Sequence, residues 1–124
     1  MKTKKLTFLL ALTFLFLFGC QTSGGNDFLR GLDADQRKDY KEAVRLYRLS
    51  AEQGNAEAQD KVGLMYATGQ GVPQDHALAH MWWNLAGSNG KESSLNNRKI
   101  VEEQMTPQQI EKAKEMARNW KPKK

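Results

Sequence analysis

Two histidines and one glycine-containing segment are the residues whose types and spacing could support chemistry. His76 and His80 are four residues apart, so on a helix they would share one face, as two ligands of a metal ion do. A zinc-protease helix also needs a glutamate directly after the first histidine, where this chain has Ala77, and no third ligand is apparent. No set of serine, histidine and aspartate has local sequence support. We therefore interpret both histidines as surface residues and expect no metal, no cofactor and no catalytic residue.

The glycines at positions 69 and 71 could cradle a phosphate, but their context argues against it. The segment ATGQGVPQD (residues 67–75) lacks the third glycine of a dinucleotide-binding loop, and it follows a helical pattern instead of a strand. The sequence contains no Gly-Lys-Ser or Gly-Lys-Thr. We interpret the segment as a turn in which Gly69 ends one helix with positive φ, Pro73 prevents its continuation and Asp75 caps the next helix.

Residues 1–19 have the layout of an export signal. Three lysines precede an apolar run from Leu6 to Phe18, which as a helix would be about 20 Å long and too short for a hydrocarbon core of roughly 30 Å. The run ends in Leu17-Phe18-Gly19-Cys20, which resembles the lipobox of bacterial lipoproteins. The resemblance implies cleavage before Cys20 and attachment of lipid to this residue. An unpaired thiol and an uncleaved signal anchor are the alternatives.

Cys20 is the chain's single cysteine, so no intramolecular disulfide forms, and a lone cysteine in an exported protein needs an explanation such as lipidation. In the lipoprotein family, Gln21 after the cysteine implies the outer membrane. We therefore expect a lipid-anchored protein of the bacterial cell envelope that faces the periplasm.

Charge is unevenly distributed along the chain, whose formal net charge is +5. Residues 20–97 carry 8 basic against 10 acidic residues, whereas residues 98–124 carry 8 against 4. A nucleic-acid-binding domain usually has a basic stripe on its folded body, so we expect no nucleic-acid partner. The C-terminal lysines are typical of a solvated tail that can also contact anionic surfaces.

Apolar residues downstream of residue 27 follow helical spacing, and no strand-like alternation appears. The last helix has the clearest start, because Thr106, Pro107 and Gln109 supply an N-cap, a first helical residue and a capping box. Trp82 is expected in the core, Trp83 between helices with part of its ring exposed, and Trp120 either closing the stack or near the membrane surface. We expect helices over residues 27–37, 39–53, 55–68, 75–88, 91–104 and from residue 107 onward.

An internal repeat organises these helices. A shift of 36 residues places Asp39, Ala43, Leu49 and Gly54 on Asp75, Ala79, Leu85 and Gly90. The stretch AEQGNAEAQDKVGLMYATGQGVPQD, followed by AHMWWNLAGSNG, resembles the Sel1-like repeat, an α/α relative of the tetratricopeptide repeat. The resemblance implies an all-α fold, a short α/α solenoid of about two repeats plus a C-terminal capping helix. The expected organisation is a lipoprotein signal peptide (1–19), lipidated Cys and linker (20–26), Sel1-like repeat helices (27–104), and capping helix with basic tail (105–124).

The same resemblance implies an interaction module or scaffold that binds a protein or peptide. The segments 39–53 and 75–88 are expected to be the first helices of their pairs and to line the partner surface. A basic stripe there could hold an acidic peptide or anionic polymer, and an ordinary solvated face is the alternative. Homo-association, an envelope hydrolase acting on cell-wall or polysaccharide material, and association with membrane or wall through the C-terminal lysines also remain open. The expected partner surface comprises Lys41, Arg45, Arg48, His80, Met81 and Asn84.

Overall fold

The computed structural model describes residues 23–123, which form six α-helices and no β-strand within that range. The predicted signal peptide and Cys20 lie outside the described residues. The linker was predicted over residues 21–26, but residues 23–26 already belong to the first helix. None of the helices in the described range has both the length and the apolar composition needed to cross a bilayer. The helices are α1 (Ser23–Gln36), α2 (Tyr40–Glu52), α3 (Ala56–Thr68), α4 (His76–Ser88), α5 (Ser93–Glu102) and α6 (Pro107–Asn119).

Short polar side chains fix where the helices begin. The carboxylates of Asp39 and Asp75 and the amide oxygen of Asn55 each accept a hydrogen bond from the backbone N–H three residues further on. These bonds satisfy donors that the first turn of a helix leaves without partners. Thr106 and Gln109 form the reciprocal capping box that was predicted for α6. Four of the six helix starts are therefore set by local sequence.

The glycine segment after α3 is a turn, as predicted. Gly69 ends α3 in the left-handed region at φ 73°, and Asp75 caps α4. Gly71 also has positive φ, and a Cβ there would collide with the backbone carbonyl of Tyr40. The second glycine is thus required because the turn packs against the start of α2.

Consecutive helices pack against each other from α1 to α5, and α6 returns to pack against α4. Two glycines permit the close approach within helix pairs. A Cβ on Gly31 would lie 2.6 Å from the ring of Tyr47, and one on Gly63 would lie 2.8 Å from the ring of Trp83. Each aromatic ring on the second helix of a pair therefore occupies the space that a larger residue on the first helix would need.

The C-terminal segment closes the stack. Trp82 is buried, as predicted, and its ring meets that of Trp120 edge-on with centroids 6.1 Å apart. Trp83, predicted to be partly exposed, is only 4% exposed. Beyond Trp120 the chain reaches α2, where the backbone N–H of Lys123 donates to the carbonyl of Glu52 at 2.7 Å. Lys123 also forms an ion pair with the Glu52 side chain, so the tail is held down at this residue.

Candidate functional site

The three predicted partner residues on α2 are exposed but not free of local partners. Arg45 donates to both carboxylate oxygens of Glu42, at 2.6 and 2.8 Å, and this bond lowers the pKa of Glu42. Arg48 lies 3.9 Å from a carboxylate oxygen of Glu52. Lys41 has no ion pair within residues 23–123. The α2 surface is therefore a mixed-charge face, since each arginine already has a carboxylate neighbour.

The three predicted partner residues on α4 do not form an exposed surface, which corrects the prediction. His80 is completely buried, Met81 is 7% exposed, and the Asn84 amide oxygen accepts a hydrogen bond from Arg98. The reason is that α5 and α6 both pack on α4 and cover this part of it. The prediction that both histidines lie on the surface is therefore wrong for His80. His76 is half-buried and lines a pocket.

A second surface, which the sequence analysis missed, lies between α3 and α5. It is a pocket of about 180 Å³, referred to below as the α3–α5 pocket. Leu64 and Ile100 flank it with 44% and 60% of their surface exposed, whereas Trp83 and Val101 are each 4% exposed and supply buried apolar surface. The full lining is Leu64, Ala67, Gln74, His76, Trp83, Asn97, Ile100, Val101 and Gln104.

The lining of the α3–α5 pocket combines apolar side chains with carboxamide groups. Its lining contains no Asp, Glu, Lys or Arg. Its polar groups include the carboxamides of Gln74, Asn97 and Gln104, each of which can both donate and accept hydrogen bonds. Across the described range, no three His, Cys, Asp or Glu side chains come together in a way that could hold a metal ion. The arrangement can bind an apolar group with hydrogen bonds around it, and it has no paired carboxylates for hydrolysis.

A sequence signal for this pocket was present. Leu64 and Ile100 are 36 residues apart, the same shift that relates the helices on which the repeat was recognised. Burial repeats at the same spacing of 36 residues. Ala58 and Ser94 are both fully buried, and Met65 and Val101 are both almost fully buried. By this register α5 corresponds to α3, and an apolar residue recurs at the exposed position of both helices.

Comparison with known proteins gives the repeat boundaries. The chain matches the Sel1 repeat at residues 28–55 and 56–91. Each match corresponds to one helix pair, first α1 from residue 28 onward with α2, and then α3 with α4. The predicted pairing is thereby corrected, because α2 and α4 are the second helices of their units and α1 and α3 are the first.

A solved structure shares the fold. It is a protective antigen present in uropathogenic Escherichia coli strains that displays an SLR fold, with a TM-score of 0.75 and 29% sequence identity. The likeness covers 78% of this chain but 22% of that one, so this chain spans about a fifth of its length. No curated protein matches the sequence. Sel1 repeat proteins are generally protein–protein interaction modules, and the fold is typically a non-enzymatic scaffold. With two repeats that cover more than half of its residues, the chain belongs to the Sel1 repeat family.

Proposed function

We propose that this protein binds a segment of a partner protein in the α3–α5 pocket while a lipid on Cys20 anchors it to the bacterial cell envelope. The observation that carries the binding proposal is the exposure of Leu64 and Ile100 on either side of a pocket with Trp83 in its lining. The anchor rests on the sequence of residues 1–20 alone. Outer-membrane attachment facing the periplasm is part of the same proposal and rests on Gln21.

Burial of the two flanking residues would supply the apolar part of the binding energy. Complete burial of a leucine or isoleucine side chain contributes about 1.5–3 kcal/mol, and roughly half of each side chain here is still exposed. Partner interfaces are typically centred on such apolar positions within a polar rim. The rim here includes Asn97 and Gln104, whose carboxamides match the donors and acceptors of a peptide backbone.

The lining also limits the chemistry of the partner. With no Asp, Glu, Lys or Arg in the pocket, a charged group inserted there would lose hydration without gaining an opposite charge. We therefore expect the inserted residue to be uncharged and apolar. The mixed-charge α2 face remains the predicted site for an acidic partner, and the two surfaces can be distinguished by mutation.

The test is photo-cross-linking in cells with a cross-linking amino acid in place of Asn97. We expect a discrete cross-linked partner whose yield falls about tenfold or more when Leu64 is replaced by aspartate, because a charge then occupies the apolar flank. Leu64 is already exposed, so the substitution does not disrupt the core. The matched control is the double variant Arg45→Glu and Arg48→Glu, which changes the α2 face and should leave the yield unchanged.

If the cross-linking yield instead falls in the Arg45→Glu and Arg48→Glu double variant and stays unchanged in Leu64→Asp, the partner binds the α2 face. Equal yields in both variants and the parent protein would contradict a specific partner site on either surface. An envelope hydrolase would instead show turnover, for which the described residues offer no paired carboxylates in the α3–α5 pocket.

A further inference from the structure

His80 is a buried titratable group that neither the repeat pattern nor the pocket explains. Its side chain is completely buried, and its Nε2 lies 2.7 Å from Oε1 of Glu102 on α5. Its other ring nitrogen, Nδ1, is buried without a hydrogen-bond partner. His80 is the one ionisable side chain among the buried residues of α4, whose other members are Ala79, Met81, Trp82, Trp83, Leu85 and Ala86.

The surroundings favour the neutral ring. Burial lowers the pKa of His80, and the positive charges of Arg98 on α5 and Lys114 on α6 act in the same direction. The hydrogen bond and charge of Glu102 oppose this effect but do not overcome it. Neutral His80 can donate through Nε2–H to Glu102 and leave only the weaker acceptor Nδ1 without a partner. A protonated ring would place a second N–H in the interior with no acceptor, at a substantial free-energy cost.

Protonation would also crowd one carboxylate with cations. Glu102 already has Arg98 within 3.9 Å, and Arg98 in turn donates to Asn84 on α4. The charged and titratable groups that act on the ring are therefore Glu102 and Arg98 from α5 and Lys114 from α6. A charged His80 would keep its hydrogen bond to Glu102, but it would face the positive charge of Arg98 and bury an Nδ1–H without an acceptor. Both costs are relieved when α5 moves away from α4 and water reaches the ring.

The part of α5 held by this contact is the part that forms the pocket. Arg98 and Glu102 lie on the same stretch of α5 as the pocket residues Asn97, Ile100 and Val101, and Gln104 follows two residues after Glu102. The start of α5 has a separate attachment, because the hydroxyl of Ser94 donates to Asp60 on α3. An opening at His80 would therefore separate the second half of α5 from α4, including the bond from Arg98 to Asn84, while the first turn of α5 stays attached to α3.

We propose that His80 and Glu102 form a pH-sensitive latch: protonation of His80 releases the second half of α5 from α4, dismantles the α3–α5 pocket and so weakens partner binding in acidic surroundings. The loss of binding rests on the proposed function, whereas the release of α5 does not. The direction follows from linkage. A histidine whose neutral form is favoured in the folded state stabilises it above the unfolded-state pKa of about 6.5, and the contribution is lost as pH falls below that value.

The experiment measures backbone hydrogen exchange in residues 98–105 at pH 7.5 and pH 5.5, expressed as protection factors so that the intrinsic pH dependence of exchange is removed. One linked proton with a reference pKa of about 6.5 lowers protection by about tenfold between these values. The variant His80→Gln should keep its protection at both pH values, because the glutamine amide can donate to Glu102 but cannot titrate. The control is His76→Gln, which removes the other histidine. Because His76 lines the pocket, only the pH dependence is compared, and the tenfold fall in protection should persist in this variant.

The latch would be ruled out by equal protection at both pH values in the parent protein, or by a pH-dependent loss that persists in His80→Gln. If that variant does not fold, the ring resonances of His80 in the parent protein decide the matter. Protonation of His80 below pH 6.5 together with loss of α5 protection supports the latch, and protonation without that loss rejects it. Partner cross-linking at pH 7.5 tests the proposed function separately, so its failure leaves the result for α5 intact.

Discussion

At the scale of single residues, two glycines set the distance between the helices of each pair. Gly31 lies against Tyr47 and Gly63 against Trp83, in both cases so closely that a side chain would contact the ring. The indole of Trp83 is further fixed because its Nε1–H donates to the carbonyl of Asp60 at 3.2 Å. A ring held by packing and by a hydrogen bond cannot easily move aside.

We therefore expect Gly63→Ala to destabilise the protein, although alanine favours helices. Forcing a methyl group to within 2.8 Å of Trp83 should cost about 1–3 kcal/mol. The higher helix propensity of alanine returns roughly 1 kcal/mol, so we expect a net loss of up to about 2 kcal/mol. Urea denaturation monitored by circular dichroism measures the difference. Gly25→Ala is the control, because a Cβ there meets nothing within 4 Å, and its free energy of unfolding should stay the same or rise. A stabilised Gly63→Ala would contradict the packing argument.

Residues whose structure depends on their immediate neighbours were predictable from the sequence. Asp75 and Thr106 cap helices through bonds that span three residues, and Gly69 ends a helix locally. His80 was not predictable in this way, because its partner Glu102 is 22 residues away and belongs to a helix beyond the two matched repeats. The residue was assigned to the surface because helical spacing identifies a face without saying what will cover it.

At the scale of secondary-structure elements, α6 decides which surfaces remain available. It packs on α4 with Ala113 and Ala117 buried, so two small residues allow the close approach. Its start is fixed by the capping box of Thr106 and Gln109, whose two bonds are 3.2 and 2.9 Å long. The direction in which α6 leaves the turn therefore depends on this cap.

Replacement of Thr106 by alanine should lower the free energy of unfolding by about 1 kcal/mol, because the backbone N–H of Gln109 loses its acceptor. Thermal denaturation of the two proteins provides the comparison. Thr68→Ala is a suitable reference substitution, since the Thr68 hydroxyl bonds back to the carbonyl of Leu64 within its own helix and caps no N-terminus. Equal losses from both substitutions would mean that the cap is not the source of the effect.

The elements were easier to predict than the surfaces they form. All six helices were expected, and the all-α fold is confirmed. The predicted partner surface failed on α4 because it took α2 and α4 as the first helices of their pairs and assumed that they stay open. The chain departs from the repeat after residue 91, and that divergent part supplies the cover of α4 and one wall of the α3–α5 pocket. The site missed by the sequence analysis is thus built partly from the segment with the weakest pattern.

At the scale of the whole molecule, the proposed anchor places the repeat domain next to a bilayer. The lipid on Cys20 would precede α1 by only two residues, since α1 begins at Ser23. So short a connection leaves the folded part within about one helix diameter of the surface. The partner in this proposal is therefore a protein that comes close to the same membrane.

Substitution of Cys20 by serine should abolish lipidation in a bacterial host, because serine has no thiol for the diacylglycerol. The expected result is an uncleaved precursor or release from the membrane fraction, together with loss of labelling by a palmitate analogue. Immunoblotting of membrane and soluble fractions and intact-mass analysis provide the measurements. Unchanged size, labelling and membrane retention in the serine variant would reject the anchor.

The contact of Lys123 with Glu52 joins the segment after α6 to the end of the first repeat. Repeat proteins ordinarily lengthen by duplication of internal units, since each unit touches only its neighbours. A unit inserted between α4 and α5 would carry the tail one step further from α2, and neither bond to Glu52 could form. The Lys123–Glu52 contact therefore fits this number of helix pairs: with a further repeat between α4 and α5, the segment after α6 could no longer reach the first repeat.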